Sequence, residues 1–310
     1  MEEVLALLPN TISDKVLTLP KDLIERIEEI RVRTNRVLEV TARGKPYFLS
    51  YIVTGEDSEQ FINKLSRHSF YTLEEELKRG YITIEGGHRV GLAGKVILEN
   101  GVVKGIRNLS SFNIRIARQK VGIAQSIFPY VYHDRWKHTM LIGAPQTGKT
   151  TLLRDLARMI STGVPEKNIP PFKVGIVDER SEIAGCVNGI PQLLFGPRVD
   201  VLDACPKAEG MMMLIRSMSP DVLIVDEIGR VEDGQAIQEA INAGITLVMT
   251  THGSAFHEVA KRPVIKDIVN LQTIERFIEL RRGDDPGKVH EVWDEHGQSL
   301  LKKSECEVND

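Results

Sequence analysis

The stretch LIGAPQTGKT, residues 141–150, decides the fold. Apolar residues run into a loop bracketed by Gly143 and Gly148 and closed by Lys149 and Thr150, the spelling G-x-x-x-x-G-K-[ST] of a phosphate-binding loop. In ordinary composition such a match arises by accident in roughly one chain of this length in a hundred. Context narrows the chance further. TMLIG before the loop reads as a strand, and TTLLRDLARMIS after it reads as a helix with Leu152, Leu153, Leu156 and Ile160 on one face.

Each residue type has a chemical reason. The glycines let successive backbone N–H groups turn inward, and the helix that begins there adds its dipole to a bound phosphate. Lys149 supplies a point charge to the outer phosphates, and the Thr150 hydroxyl is a ligand for Mg²⁺. The expected nucleotide contacts are Gly143, Ala144, Pro145, Gln146, Thr147, Gly148, Lys149, Thr150 and Thr151, with ATP and Mg²⁺ as the bound species.

Hydrolysis needs a second strand that ends in carboxylates, and DVLIVDEIG (221–229) supplies one. Asp226 is placed to hold the metal shell, and Glu227 to polarise the attacking water. FKVGIVDERSEIAG is another strand with acids at its end, among them Asp178, Glu179 and Glu182. A third, ITLVMTTHG, ends in Thr250, Thr251 and His252, a hydroxyl and imidazole edge fit to sense a terminal phosphate.

The remaining chain sets these strands in order. At 310 residues two domains are expected, and 42% hydrophobic with 27% charged residues is ordinary for a soluble protein. The N-terminal part reads as mixed α and β. DLIERIEEI places Leu23, Ile24, Ile27 and Ile30 at helical spacing, and RVLEVTARGKPYFL alternates like two strands about a turn. Two helices are expected across GEDSEQFINKLSRHSFYTLEEELKRG, with stripes at Phe61, Ile62, Leu65 and at Leu73, Leu77. Short glycine-punctuated strands follow to residue 118, and the boundary falls around 120–137. From there apolar strands alternate with helices, which means a parallel sheet covered on both faces. KVHEVWDEHGQSLLKK reads as a terminal hairpin, and Met211, Met212 and Met213 as helix core.

Charge is uneven. Residues 1–130 hold 19 basic and 16 acidic side chains, the remainder 21 and 27. Residues 89–120 hold seven basic side chains and the single acid Glu99, so an anionic partner is to be sought there. Three widely spaced cysteines indicate neither a disulfide framework nor a zinc site and fit a reducing compartment. The acidic start MEEVLALLPN is unlike a signal peptide, and no apolar run approaches the ~20 residues of a membrane span. A cytoplasmic protein that reaches membranes through partners is the expectation.

LIRSMSPDVLIVDEIGR (214–230) resembles the strand-entry signature of the type II and type IV secretion ATPases, a RecA-like hexameric branch of the P-loop fold. The order of phosphate loop, acidic box, acidic strand and histidine matches that branch. More narrowly, VDERSEIAG, GPRVDVLDACPKAEGMMMLIRSMSPDVLIVDEIGR and GIRNLSSFNIRIAR resemble the sporulation ATPases of that superfamily, from about residue 24 to about residue 300. The resemblance implies a smaller α+β domain over 1–125 and a RecA-like α/β P-loop ATPase domain over 126–310. It also implies a homo-hexamer and, as partners, membrane platform proteins of a sporulation channel complex. Arg89, Arg107 and Arg115 lie in the region that supplies arginines across the subunit boundary in secretion ATPases. In that branch the acidic box reads E-D-P-x-E, whereas this chain has Asp178-Glu179-Arg180-Ser181-Glu182, so Glu227 is the first candidate base and Glu179 the second.

Two other readings stand beside a transport ATPase. A nucleic-acid motor or single-strand binder would use the basic segment, but only Phe112 there offers a stacking surface, and no His has an Arg four residues before it. No nucleic acid is expected. A small-molecule kinase would have no role for the Pro220-Asp221 entry or for an acid beside Asp226.

Overall fold

The computed structural model describes residues 1–66, 76–270, 272–283 and 286–301. The chain divides into two compact units, Met1–Arg118 with Gly185–Asn188, and Gln119–Ala184 with Gly189–Asp310.

The first unit is an antiparallel sheet with helices. Its strands are β1 (Ile27–Arg33), β2 (Val37–Ala42), β3 (Lys45–Ile52), β4 (Tyr81–Ile84), β5 (His88–Glu99) and β6 (Val102–Arg115), in the order β3-β2-β1-β6-β5-β4. Ile27, Ile30, Val32, Leu38, Val40, Val90, Phe112 and Ile114 form its core with Leu8, Ile12 and Val16 from the helices before β1. The helix expected across residues 23–30 is a correction: it ends at Ile24, and Ile27 and Ile30 lie in β1. A bulge between Ile27 and Glu29 is the reason, because one extra residue sets two inward side chains three apart and imitates helical spacing. The turn between β2 and β3 is made by Arg43 and Gly44, at φ 53° and 70°. Leu73 lies outside the described residues.

The second unit holds a seven-stranded sheet: β7 (Thr139–Gly143), β8 (Val174–Asp178), β9 (Val199–Asp203), β10 (Val222–Val225), β11 (Thr246–His252), β12 (Arg276–Arg281) and β13 (Lys288–Asp294). The order is β13-β12-β7-β11-β10-β8-β9, with every neighbouring pair parallel except β12 and β13. Successive residues of each central strand serve opposite faces. Leu141, Ile176, Ile224 and Val248 join Leu152, Leu153, Leu156 and Ile160 of the helix Lys149–Thr162. Met140, Ile142, Val177, Leu223, Val225 and Met249 pack instead with Met211 and Leu214 of the helix Lys207–Ser217 and with Ala236 and Ile237 of the helix Val231–Asn242. Both faces are thus covered, as strand and helix alternation requires. Met211 is in that core, but Met213 is 52% exposed, which corrects the reading of all three methionines as core.

In the first unit the helix Gly55–Leu65 is tied down by one carboxylate. Asp57 is buried and accepts hydrogen bonds from Thr11 Oγ1, from Tyr51 Oη at 2.6 Å, and from both Thr54 N and Thr54 Oγ1 at 2.8 Å. Its own N–H donates to Thr54 Oγ1, which completes a capping box. Asp57→Ala is expected to cost about 2–4 kcal/mol, from a lost cap and buried donors left without an acceptor. Denaturant unfolding checks this.

Candidate active site

Sheet order brings the motifs together. β11 lies between β7 and β10, with His252 paired to Gly143 and Met249 to Val225. Val225 is also level with Val177 of β8. The loop after β7, the end of β11, the acids after β10 and the acid that ends β8 therefore meet along the carboxyl edge of the sheet, where open α/β sheets bind ligands.

The loop itself is built for close backbone approach. Gly148 precedes the helix Lys149–Thr162 at φ 88°, and no side chain caps that helix. The first N–H groups of a helix have no intrahelical acceptor, so this end is suited to an anion. A Cβ on Gly148 would lie 2.3 Å from Gly287 N and 2.6 Å from Pro286 Cβ, and Gly287 N–H donates to Thr147 O at 2.8 Å. A Cβ on Gly143 would lie 2.4 Å from Thr147 Oγ1. Ala144, Pro145 and Gln146 form the exposed crest, where Gln146 Oε1 accepts from Arg282 at 2.7 Å. Thr151 follows on the helix, half-buried.

Lys149 is buried and donates to Gly143 O at 2.7 Å and Ala144 O at 3.1 Å. Burial lowers its pKa, while the negative charges of Asp226 and Glu227 act the other way. Thr150 Oγ1 donates to Asp226 Oδ2 at 2.9 Å, and Thr250 Oγ1 donates to Asp226 Oδ1. A hydroxyl and a carboxylate oxygen side by side are the hard donors that Mg²⁺ takes, so these residues fit that ion.

Lys149 Nζ also lies 3.2 Å from His252 Nδ1, and His252 Nε2 lies 2.8 Å from Glu227 Oε1. An ammonium only donates, so Nδ1 accepts and the ring proton sits on Nε2, donating to the carboxylate. Lys149, His252 and Glu227 thereby form one hydrogen-bonded chain. Glu227 holds φ 55°, rare for a residue with a side chain, and its N–H donates to Thr250 Oγ1 at 2.9 Å. Its other oxygen, Oε2, is 2.7 Å from Arg180 Nη1.

The acids of the 178–182 box do different things. Asp178 is buried and accepts from the N–H groups of Glu182, Ile183 and Ala184 at 2.8–2.9 Å. Burial pushes its pKa up to about 6 against those donors, and Asp203 adds to the rise. For Glu179 burial acts upward too, but the hydrogen bond and charge of Lys207, with Arg230 and Arg180, hold its pKa below the usual range. Glu179 contacts Lys207 Nζ through Oε2 and Arg230 Nη1 through Oε1 at 3.5 Å. Arg154, buried on the phosphate-loop helix, donates to Ile183 O and Glu182 O at 2.6 and 2.7 Å. Asp178, Glu179, Arg180, Glu182, Lys207, Asp226 and Glu227 line one open cleft. Arg154, Lys207 and Arg230 escaped the sequence reading, since isolated cations on helices carry no motif.

Arg89, Arg107 and Arg115 belong to the first unit. Arg89 on β5 pairs directly with Arg115 on β6, and Arg107 pairs with Lys95. Eight residues of strand separate Arg107 from Arg115, roughly 26 Å. Arg107 is therefore too far along the strand to share one phosphate with Arg115.

Comparison with known proteins places the chain. The family model described as "Sporulation stage III, protein AA" matches residues 1–300. Stage III sporulation protein AA of Bacillus subtilis (strain 168) is 55% identical over 302 residues, covering 97% of this chain and 98% of that protein. Among solved structures, the Legionella pneumophila ATPase DotB aligns with a TM-score of 0.60 at 15% identity, over 91% of this chain and 80% of its own. The pilus retraction motor PilT, solved with bound ADP, aligns with a TM-score of 0.56 at 15% identity, over 88% and 80%. These likenesses establish a RecA-like α/β fold preceded by an antiparallel-sheet unit.

The carboxyl group of Asp178 has a folded pKa of about 6 against an ordinary 3.8, so its protonated form is favoured by folding. That contribution is full below the ordinary value and is lost as pH rises through 6. The stability difference between wild type and Asp178→Asn is therefore expected to widen in favour of wild type as pH falls from 7 to 4.5, by roughly 2 kcal/mol. Urea unfolding at the two pH values checks it.

Proposed function

The chain belongs to the sporulation stage III protein AA family, and from that premise we propose that it hydrolyses ATP to ADP and phosphate. In this reading it works as a homo-hexameric, cytoplasmic ATPase that drives assembly of, or transport through, a secretion-like membrane channel during endospore formation. The observation that carries the reading is the hydrogen-bonded chain from Lys149 through His252 to Glu227, beside the Thr150 and Asp226 pair.

The loop N–H groups and Lys149 bind the phosphates, Lys149 exchanging the carbonyls of Gly143 and Ala144 for phosphate oxygens. Thr150 and Asp226 hold Mg²⁺, which when bound neutralises developing phosphate charge. Glu227 takes the proton of the water whose oxygen bonds to the terminal phosphorus as the bond to ADP breaks. Glu227 is preferred to Glu179 because it reaches the loop lysine through a single imidazole, whereas the ion pairs of Glu179 run to Lys207 and Arg230. Arg89 and Arg115 of a neighbouring subunit stabilise the transferring phosphoryl group. Among the described residues no helix is long and apolar enough to cross a membrane, which supports attachment through platform proteins.

Steady-state ATP turnover tests this. Specific activity is expected to rise with protein concentration and to ignore single-stranded DNA, with Lys149→Ala inactive and weakened in nucleotide binding. Turnover retained by Lys149→Ala overturns the mechanism, and strong DNA stimulation replaces transport with a nucleic-acid motor. Arg115→Ala is expected to lose turnover while keeping ATP affinity, and mixing it with Lys149→Ala is expected to restore part of the activity. No restoration would remove the shared site.

A further inference from the structure

We propose that Arg180 is a positioning residue for Glu227, fixing the orientation in which that carboxylate meets water. The inference rests on the reading of Glu227 as the base. A glutamate's terminal torsion is broad and nearly free, so a single donor leaves the carboxylate able to turn. Here two donors from different elements hold its two oxygens: His252 Nε2 of β11 on Oε1 at 2.8 Å, and Arg180 Nη1, from the segment after β8, on Oε2 at 2.7 Å. The Glu227 backbone is itself held at φ 55° by its bond to Thr250. Together these bias the carboxylate toward one orientation.

Arg180 is delivered by a pinned segment. On one side Glu179 is bound to Lys207, and on the other Ser181, at φ 53°, donates to Asp203 Oδ1 at 2.7 Å. Asp178 gathers the N–H groups of residues 182–184. The arginine's place is thus set by these contacts of its neighbours although its side chain is 60% exposed. Charge points the same way. The cleft carries Asp178, Glu179, Glu182, Asp226 and Glu227; Lys207 and Arg230 contact Glu179, and Arg180 makes its ion pair with Glu227.

An exposed ion pair biases an orientation by about fivefold at most. Arg180→Ala is therefore expected to lower kcat about three- to fivefold with KM for ATP within about twofold. Arg180→Lys, which keeps the charge, is expected to recover at least half of the loss. In a Glu227→Gln background Arg180→Ala is expected to add nothing, since an oriented amide is no base; phosphate release in single turnovers reads both backgrounds. An equal proportional loss in both backgrounds, a loss appearing in KM, or an unchanged kcat overturns the positioning role. If Glu227→Gln alone turns over like wild type, the base assignment falls and this inference with it. A slow Glu227→Gln with a further multiplicative loss from Arg180→Ala overturns this inference alone.

Discussion

The insertion of β11 between β7 and β10 is the constraint from which the site follows. Hydrogen-bond ladders on both edges of β11 set His252 level with Gly143 and Met249 level with Val225. A slip of one residue would exchange the faces of β11, turning Leu247 and Met249 out of the layer they share with the helix Val231–Asn242. Burial on both faces therefore fixes the register to the residue. The same register delivers Thr250 to Asp226, and Thr250 then acts twice, accepting from Glu227 N–H while donating to Asp226. A left-handed backbone at a side-chain-bearing residue costs roughly 1–2 kcal/mol. At Glu227 that cost is offset by Thr250 and by packing of the strands behind it.

The carboxylates at this edge differ in role because they differ in donors. Asp178 is satisfied by three backbone N–H groups and serves the shape of the segment that follows it. Arg154 braces the same segment from the phosphate-loop helix, so the loop and the acidic box share one support. Glu179 is neutralised by cations from the starts of two other helices, Lys207 and Arg230. What distinguishes Glu227 is that one of its donors is an imidazole whose other nitrogen accepts from the loop lysine. Any phosphate that draws Lys149 away changes what His252 receives, and hence the environment of Glu227.

The parts of the fold legible in sequence were those in which local pattern and tertiary role coincide. The phosphate loop, the strand 222–225 and the strand before His252 are apolar runs ending in polar residues, as buried parallel strands are. β9 and β12 were missed. β9 is VDVLD, half-buried at the sheet edge, with aspartates where a central strand would carry aliphatics. β12 is interrupted by Glu279, buried because Phe256 N–H and Trp293 Nε1 donate to it, partners 23 and 14 residues distant in sequence. In the site, the acids and the histidine were visible from their strand ends. Their cationic partners were not, because a lysine that opens a helix has no signature until the fold places an acid beside it.

The cationic face of the first unit follows a different logic. Arg89 and Arg115 stand directly opposite each other on β5 and β6, and like charges so placed destabilise a sheet. Each has a partial compensation. Glu29 of β1, whose carboxylate accepts from Arg31 Nε at 3.1 Å, lies opposite Arg115 on the other side, and the Arg89 guanidinium sits 3.4 Å over the Tyr81 ring. A multiply charged oxyanion bound between them would relieve the repulsion and gain charge-assisted hydrogen bonds at once. Under the proposed mechanism that relief would add to the hold of the pair on a transferring phosphoryl group.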